Sequence, residues 1–74
     1  MSRCEVESEV QGTVWKLLVG VGDAVAKGDT LLILESMKVE IPLEAPTSGR
    51  VLEVLVEPEE AVAEDQVLVV IDPG

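Results

Sequence analysis

Histidine, phenylalanine and tyrosine are absent from this 74-residue chain, and tryptophan and cysteine occur once each, as Trp15 and Cys4. Without histidine the chain lacks the commonest general base, the commonest zinc ligand and the usual partner of a nucleophilic serine or cysteine. A single cysteine closes no internal disulfide and builds no cysteine-rich metal site. Cys4 therefore reads as a small apolar residue of an intracellular protein. Cations are scarce as well: five Lys and Arg stand against fifteen Asp and Glu, a formal charge of −10. Such a field repels a phosphate backbone, which argues against nucleic acid as a partner, and the same sign disfavours anionic lipid. Basic surfaces on larger proteins are what it suits. Long apolar runs are missing too. The longest, residues 31–34 and 67–71, fall far short of the roughly 20 residues that a membrane-spanning helix needs. The N-terminal stretch Met1-Ser2-Arg3-Cys4-Glu5 has no apolar segment of the kind a signal peptide carries, so the expected location is the cytoplasm.

What is present is aliphatic. Nearly half the residues are apolar, which separates the chain from disordered sequences. Its length allows one domain, residues 1–74. A domain of this size buries only about 60% of the surface its unfolded chain exposes. One thin core is expected, without a deep cavity where catalytic groups converge.

The chain is written twice. Gly12 and Gly49 lie 37 positions apart, and the stretches after them match at that offset without a gap. Val14 falls on Val51, Leu18 on Leu55, Val19 on Val56, Leu31 on Leu68, and Ala24-Val25-Ala26 on Ala61-Val62-Ala63. Two copies are too few for a solenoid, and closure of one copy on the other about a pseudo-twofold axis fits better. Residues 13–19, 50–56, 30–34 and 66–71 are short and rich in Val, Leu and Ile, as strands are. Residues 6–10 and 39–43 supply two more. Gly20, Gly22-Asp23 and Lys27-Gly28-Asp29 mark turns in the first copy, Pro58 and Glu64-Asp65 in the second. Gly12 and Gly49 are likewise expected in turns. Pro42 and Pro46 argue for edge or boundary positions, because proline cannot donate to a ladder. Trp15 is expected to pack within its strand. The fold expected is all-β, with about eight short strands forming a flattened barrel or sandwich of two small antiparallel sheets.

The copies differ where the first ends, in Glu35-Ser36-Met37-Lys38-Val39-Glu40. Met37-Lys38 sits at the hairpin joining the copies, and a lysine at such a turn projects into solvent. Glu35-Ser36-Met37-Lys38 resembles the Glu-(Ala/Ser)-Met-Lys-Met signature of biotin carboxyl carrier domains, members of the biotin/lipoyl attachment family. Residues 12–14, 21–29 and 44–49 resemble the loops of that family, so the resemblance spans residues 6–72. It implies a barrel-sandwich hybrid that is no enzyme itself but carries biotin as an amide on Lys38, attached by a biotin–protein ligase using ATP. Met37, Val39, Glu35 and Ser36 are the flanking recognition residues it implies, although Glu35 and Glu40 also read as edge charges that discourage sheet-to-sheet association. The implied task is to ferry a carboxyl group between a biotin carboxylase and a carboxyltransferase, with an acyl-CoA type of carboxylase favoured. Acetyl-CoA, propionyl-CoA, pyruvate and urea carboxylases all use such domains.

Two departures keep alternatives open. Val39 stands where the biotin signature has Met, and a branched residue there leans toward lipoyl domains, whose pattern is Asp-Lys-Ala. Met37, in the place of the lipoyl Asp, points back to biotin. The first copy has no room for the inserted thumb loop of some bacterial carriers, and no Ala/Pro-rich linker precedes residue 6. A lipoyl carrier of an acyl-transferring dehydrogenase complex is one alternative. An unmodified binding module of the same fold is the other.

Overall fold

In the computed structural model, which describes residues 3–74, eight strands form two four-stranded antiparallel sheets. Met1 and Ser2, the start of the stretch read above for a signal peptide, lie outside the described residues. The strands are β1 (Cys4–Glu7), β2 (Gly12–Leu17), β3 (Ala24–Val25), β4 (Thr30–Ser36), β5 (Val39–Glu44), β6 (Gly49–Val54), β7 (Ala61–Val62) and β8 (Val67–Asp72). One sheet runs β1-β8-β6-β3 and the other β5-β4-β2-β7. The expected all-β sandwich of two small antiparallel sheets is what the chain forms.

The 37-residue offset recurs throughout the backbone. Val14 pairs with Leu34 and Val51 with Ile71; a bulge follows each, at Trp15 and at Leu52. Gly12 pairs with Val62 and Gly49 with Val25. The two-residue strand of each copy thus completes the sheet of the other, and the copies interlock. Outside the ladders, the fourteen backbone bonds found among the described residues fall into seven pairs related by the same offset. Side chains follow suit. Asp23 accepts from the Gly20 N–H and Glu60 from the Glu57 N–H; Asp29 accepts from Ala26 and Gln66 from Ala63.

Between the sheets lie Val14, Leu31, Leu32 and Leu34 from one copy and Val51, Leu68, Val69 and Ile71 from the other, all essentially sealed from solvent. Each such side chain contributes on the order of 1.5–3 kcal/mol, and no aromatic ring takes part. Cys4 packs half-buried against this core, as expected of a small apolar residue.

Several local expectations are corrected. The first strand covers Cys4–Glu7, earlier than residues 6–10. Ser8 is the cause: buried, it donates its hydroxyl to the Val10 carbonyl and accepts from the Val10 N–H, a local turn that competes with the ladder. The strands after Gly12 and Gly49 stop at Leu17 and Val54, short of residues 19 and 56. Gly12 and Gly49 themselves begin strands instead of making turns. Their need for glycine is close approach, since a Cβ on Gly12 would stand 2.6 Å from the Glu35 carbonyl oxygen, and one on Gly49 would strike that of Asp72. Trp15 lies in a strand but is 42% exposed, because it follows buried Val14 and so points outward, and the bulge keeps Lys16 on the same outward side. Pro42 does lie on an edge strand.

Candidate functional site

The β4–β5 hairpin closes through two residues, Met37 and Lys38, with Ser36 paired to Val39 across the turn. Both central residues have positive φ, 51° and 66°. This is the requirement of the type I′ turn, whose twist suits a two-residue connection and which normally recruits Asn-Gly. Neither Met nor Lys adopts this region readily. A non-glycine residue there costs roughly 1–2 kcal/mol, and the seven-residue strand β4 paired along β5 holds the turn in place.

That rigid turn presents its side chains outward. Met37 is 94% exposed, and Lys38 is exposed with no ion-pair partner among the described residues. Val39 is exposed as well, an isolated aliphatic group beside the lysine. Ser36 turns back toward the body of the protein, and its hydroxyl donates to the Gln11 carbonyl at 2.9 Å. The close approach of Gly12 to Glu35 braces the same hairpin. One pair beyond the turn, Glu35 faces Glu40 directly. By the alternation of an antiparallel ladder this is a non-hydrogen-bonded pair, the kind that brings side chains closest. Like charges so placed are mutually destabilising.

Four of the five residues expected to form the site, Glu35, Met37, Lys38 and Val39, are exposed on this hairpin; Ser36 is half-buried and acts as a brace. Sequence reasoning missed Gln11 and Gly12, which support the hairpin from the β1–β2 connection. The offset held a clue for Gly12, whose counterpart Gly49 makes the same approach to Asp72. Gln11 carried no such signal.

Chemically, the arrangement offers one primary amine on a projecting, fixed tip. Among the described residues, no group of three or more His, Cys, Asp or Glu is placed to hold a metal. A shallow groove, lined by Gln11, Thr13, Ala61 and Glu64 among others, runs beside the hairpin. A group held here would be held by a covalent bond to Lys38 and not by enclosure, and the free amine suits an acyl linkage to a carboxylic acid. Biotin and lipoic acid both have that chemistry.

Comparison with known proteins agrees with this geometry. Residues 3–71 match the family described as "Biotin-requiring enzyme". The chain is similar to the biotin/lipoyl attachment protein of Bacillus subtilis (strain 168), 49% identical over 49 residues, which cover 66% of this chain and 67% of that one. It is also similar to the urea amidolyase of Lachancea kluyveri, 48% identical over 50 residues; these make up 68% of this chain but only 3% of that much longer protein. Among solved structures, a single-chain, multi-domain long-chain acyl-CoA carboxylase matches 97% of this chain with a TM-score of 0.91 at 29% identity, over 7% of its own length.

Proposed function

The chain belongs to the biotin/lipoyl attachment family, and from that premise we propose that it is a biotin carrier, with biotin joined to Lys38 by an amide. The observation that carries the proposal is the hairpin tip: Lys38 exposed, without an ion-pair partner among the described residues, fixed by a type I′ turn and preceded by Met37. Met37 favours biotin over lipoate, because the lipoyl pattern has an Asp there. When bound, biotin supplies a ring that takes up and gives up a carboxyl group. The protein itself supplies position. The turn holds Cα of Lys38 at a fixed point, its exposure leaves the side chain open to solvent, and Ser36 and Gly12 restrain the hairpin beneath it. A tether on so firm a base reaches two active sites at high effective concentration.

The partners this reading assigns are a biotin–protein ligase, a biotin carboxylase and a carboxyltransferase, with the cytoplasm as the place where they meet. As acceptor we assign an acyl-CoA, supported by the fold match to a long-chain acyl-CoA carboxylase. Urea is the second reading, favoured by the likeness to urea amidolyase.

Intact-mass and peptide mass spectrometry of the protein from its native host tests the attachment. Biotin on Lys38 is the expected result. Lipoate on Lys38, or an unmodified lysine in the native host, overturns it. For the acceptor, removing the chain from its host should abolish bicarbonate-dependent carboxylation of acyl-CoA. Loss of urea carboxylation alone would transfer the assignment to urea.

A further inference from the structure

The pseudo-twofold axis supplies an internal control, because each outward row of one sheet has a counterpart in the other. In the β1-β8-β6-β3 sheet, Val70 lies in register between Glu5 and Glu53. Arg3 reaches across to Glu53 at 2.8 Å, and Val70, although outside the core cluster, is fully buried. That face is closed by its own charged side chains. The counterpart row in the β5-β4-β2-β7 sheet is Pro42, Ile33 and Lys16, with Trp15 in the bulge where the other sheet has Leu52. No ion pair crosses it among the described residues. Ile33 is left half-buried, Pro42 exposed and Trp15 42% exposed, with the Lys16 ammonium 4.6 Å from the ring centroid. The same fold thus seals one face and leaves the other apolar.

The open face belongs to the hairpin that carries Lys38. Ile33 and Pro42 face each other three residue pairs below the turn-flanking pair, on the order of 10 Å along the strands at ~3.3 Å per residue. Glu35 and Glu40 lie between them and the tip, on the same side of the sheet. We propose that this outer face of β5, β4 and β2 is the docking surface for biotin–protein ligase, with Trp15 as its anchor, on the carrier reading given above. Reach is the reason for choosing the ligase. A bare lysine has only a four-carbon stem, on the order of 6 Å long from standard bond lengths, so an enzyme acting on Nζ must bring its body against the hairpin. An enzyme acting at the end of a biotinylated arm is under no such constraint. The patch that fits this surface carries a basic group opposite the facing Glu35 and Glu40 and an apolar recess for Trp15. Tryptophan is among the residue types enriched at interface hot spots.

The test uses the whole chain, a purified bacterial biotin–protein ligase, ATP and biotin, with Trp15→Ala, Trp15→Leu and Leu52→Ala as variants. Trp15→Leu installs the residue already accepted at the twofold-related bulge, so it guards against a folding defect. We expect Trp15→Ala to raise KM about five-fold or more, the effect of losing one interfacial anchor, with kcat within about two-fold. Trp15→Leu should fall between Trp15→Ala and the wild type, and Leu52→Ala should match the wild type. In a Lys38→Arg background, where no product forms, the chain should compete with wild type for ligase, and adding Trp15→Ala should weaken that competition by the same factor. Equal KM for all three variants, or equal loss at Trp15 and Leu52, overturns the docking face while leaving the carrier reading intact. Failure to label the wild-type chain at all removes both.

Discussion

Glu59 sits at a left-handed backbone position, φ 72°, that its counterpart in the first copy fills with Gly22 at φ 94°. The second copy therefore carries strain that the first avoids. Replacing Glu59 with Gly relieves about 1–2 kcal/mol of left-handed strain but adds about 0.4–1 kcal/mol of unfolded-state entropy. Glu59→Gly should thus stabilise the protein by about 0.5–1 kcal/mol in urea titrations. Unchanged or lower stability would mean that Glu59 makes contacts worth as much as the strain. At Lys38 the same backbone region is tied to position. A ligase that reads the tip should accept Lys38 and refuse lysine moved one place, in Met37→Lys with Lys38→Met or in Lys38→Val with Val39→Lys. Exposed substitutions of this kind shift stability by less than about 1 kcal/mol, which circular dichroism can verify. Streptavidin blotting should show strong labelling of wild type alone, and equal labelling of all three proteins would refute reading of the tip.

At the scale of elements, Gly12 and Gly49 make one prediction with two outcomes. Either glycine replaced by alanine forces a Cβ against a backbone carbonyl that cannot rotate away, and overpacking of this sort costs about 1–3 kcal/mol. Both variants should melt earlier. Only Gly12→Ala, which presses on Glu35 next to the tip, should also slow biotinylation at a temperature where both remain folded; Gly49→Ala presses on Asp72, near the chain terminus. Equal slowing would show that the hairpin responds to global stability and not to its brace. The same pair of residues shows how far the sequence could be read. Their offset of 37 revealed the repeat, strands β2, β4, β6 and β8, and the position of Lys38 at the junction. Their structural reason, close packing of backbones, is invisible without coordinates, so they looked like turn glycines. Strands β3 and β7 are two residues long and too short to have periodicity. Ser8 ended β1 through a hydroxyl turn that apolar alternation does not register. At the site, the Met-Lys signature located the lysine, but its left-handed turn could not be foreseen, since that conformation usually goes with Asn-Gly. Trp15 was placed in the right strand on the wrong side of exposure, because an aromatic ring suggests burial whereas its register beside buried Val14 puts it on the outward face.

For the molecule as a whole, charge is the dominant asymmetry. A net charge of −10 is spread over a body of 36 × 18 × 17 Å, with one ion pair, Arg3–Glu53, among the described residues. Self-repulsion at that density works against the compact state, and salt screens it over a Debye length of about 10 Å at 0.1 M. Raising sodium chloride from about 10 mM to 150 mM should therefore raise Tm by several degrees, since about 1 kcal/mol corresponds to roughly 4–8 °C in a domain of this size. Calorimetry at constant pH checks this, and a falling Tm would place the net electrostatic balance in favour of attraction.

The interlocking of the copies also sets an order of events during synthesis. Strand β2, whose first residue Gly12 braces the hairpin, is flanked by β7 of the second copy, and β3 of the first copy is flanked by β6. A nascent chain in which Lys38 has just emerged lacks both β6 and β7, so its hairpin hangs without a completed sheet behind it. The sheet behind the lysine is complete only once the chain through β7 has emerged. On the carrier reading, ribosome-stalled chains ending soon after Lys38 emerges should stay unlabelled by ligase, and those that have emerged beyond Asp72 should be labelled; equal labelling of both would show that attachment does not wait for the second copy.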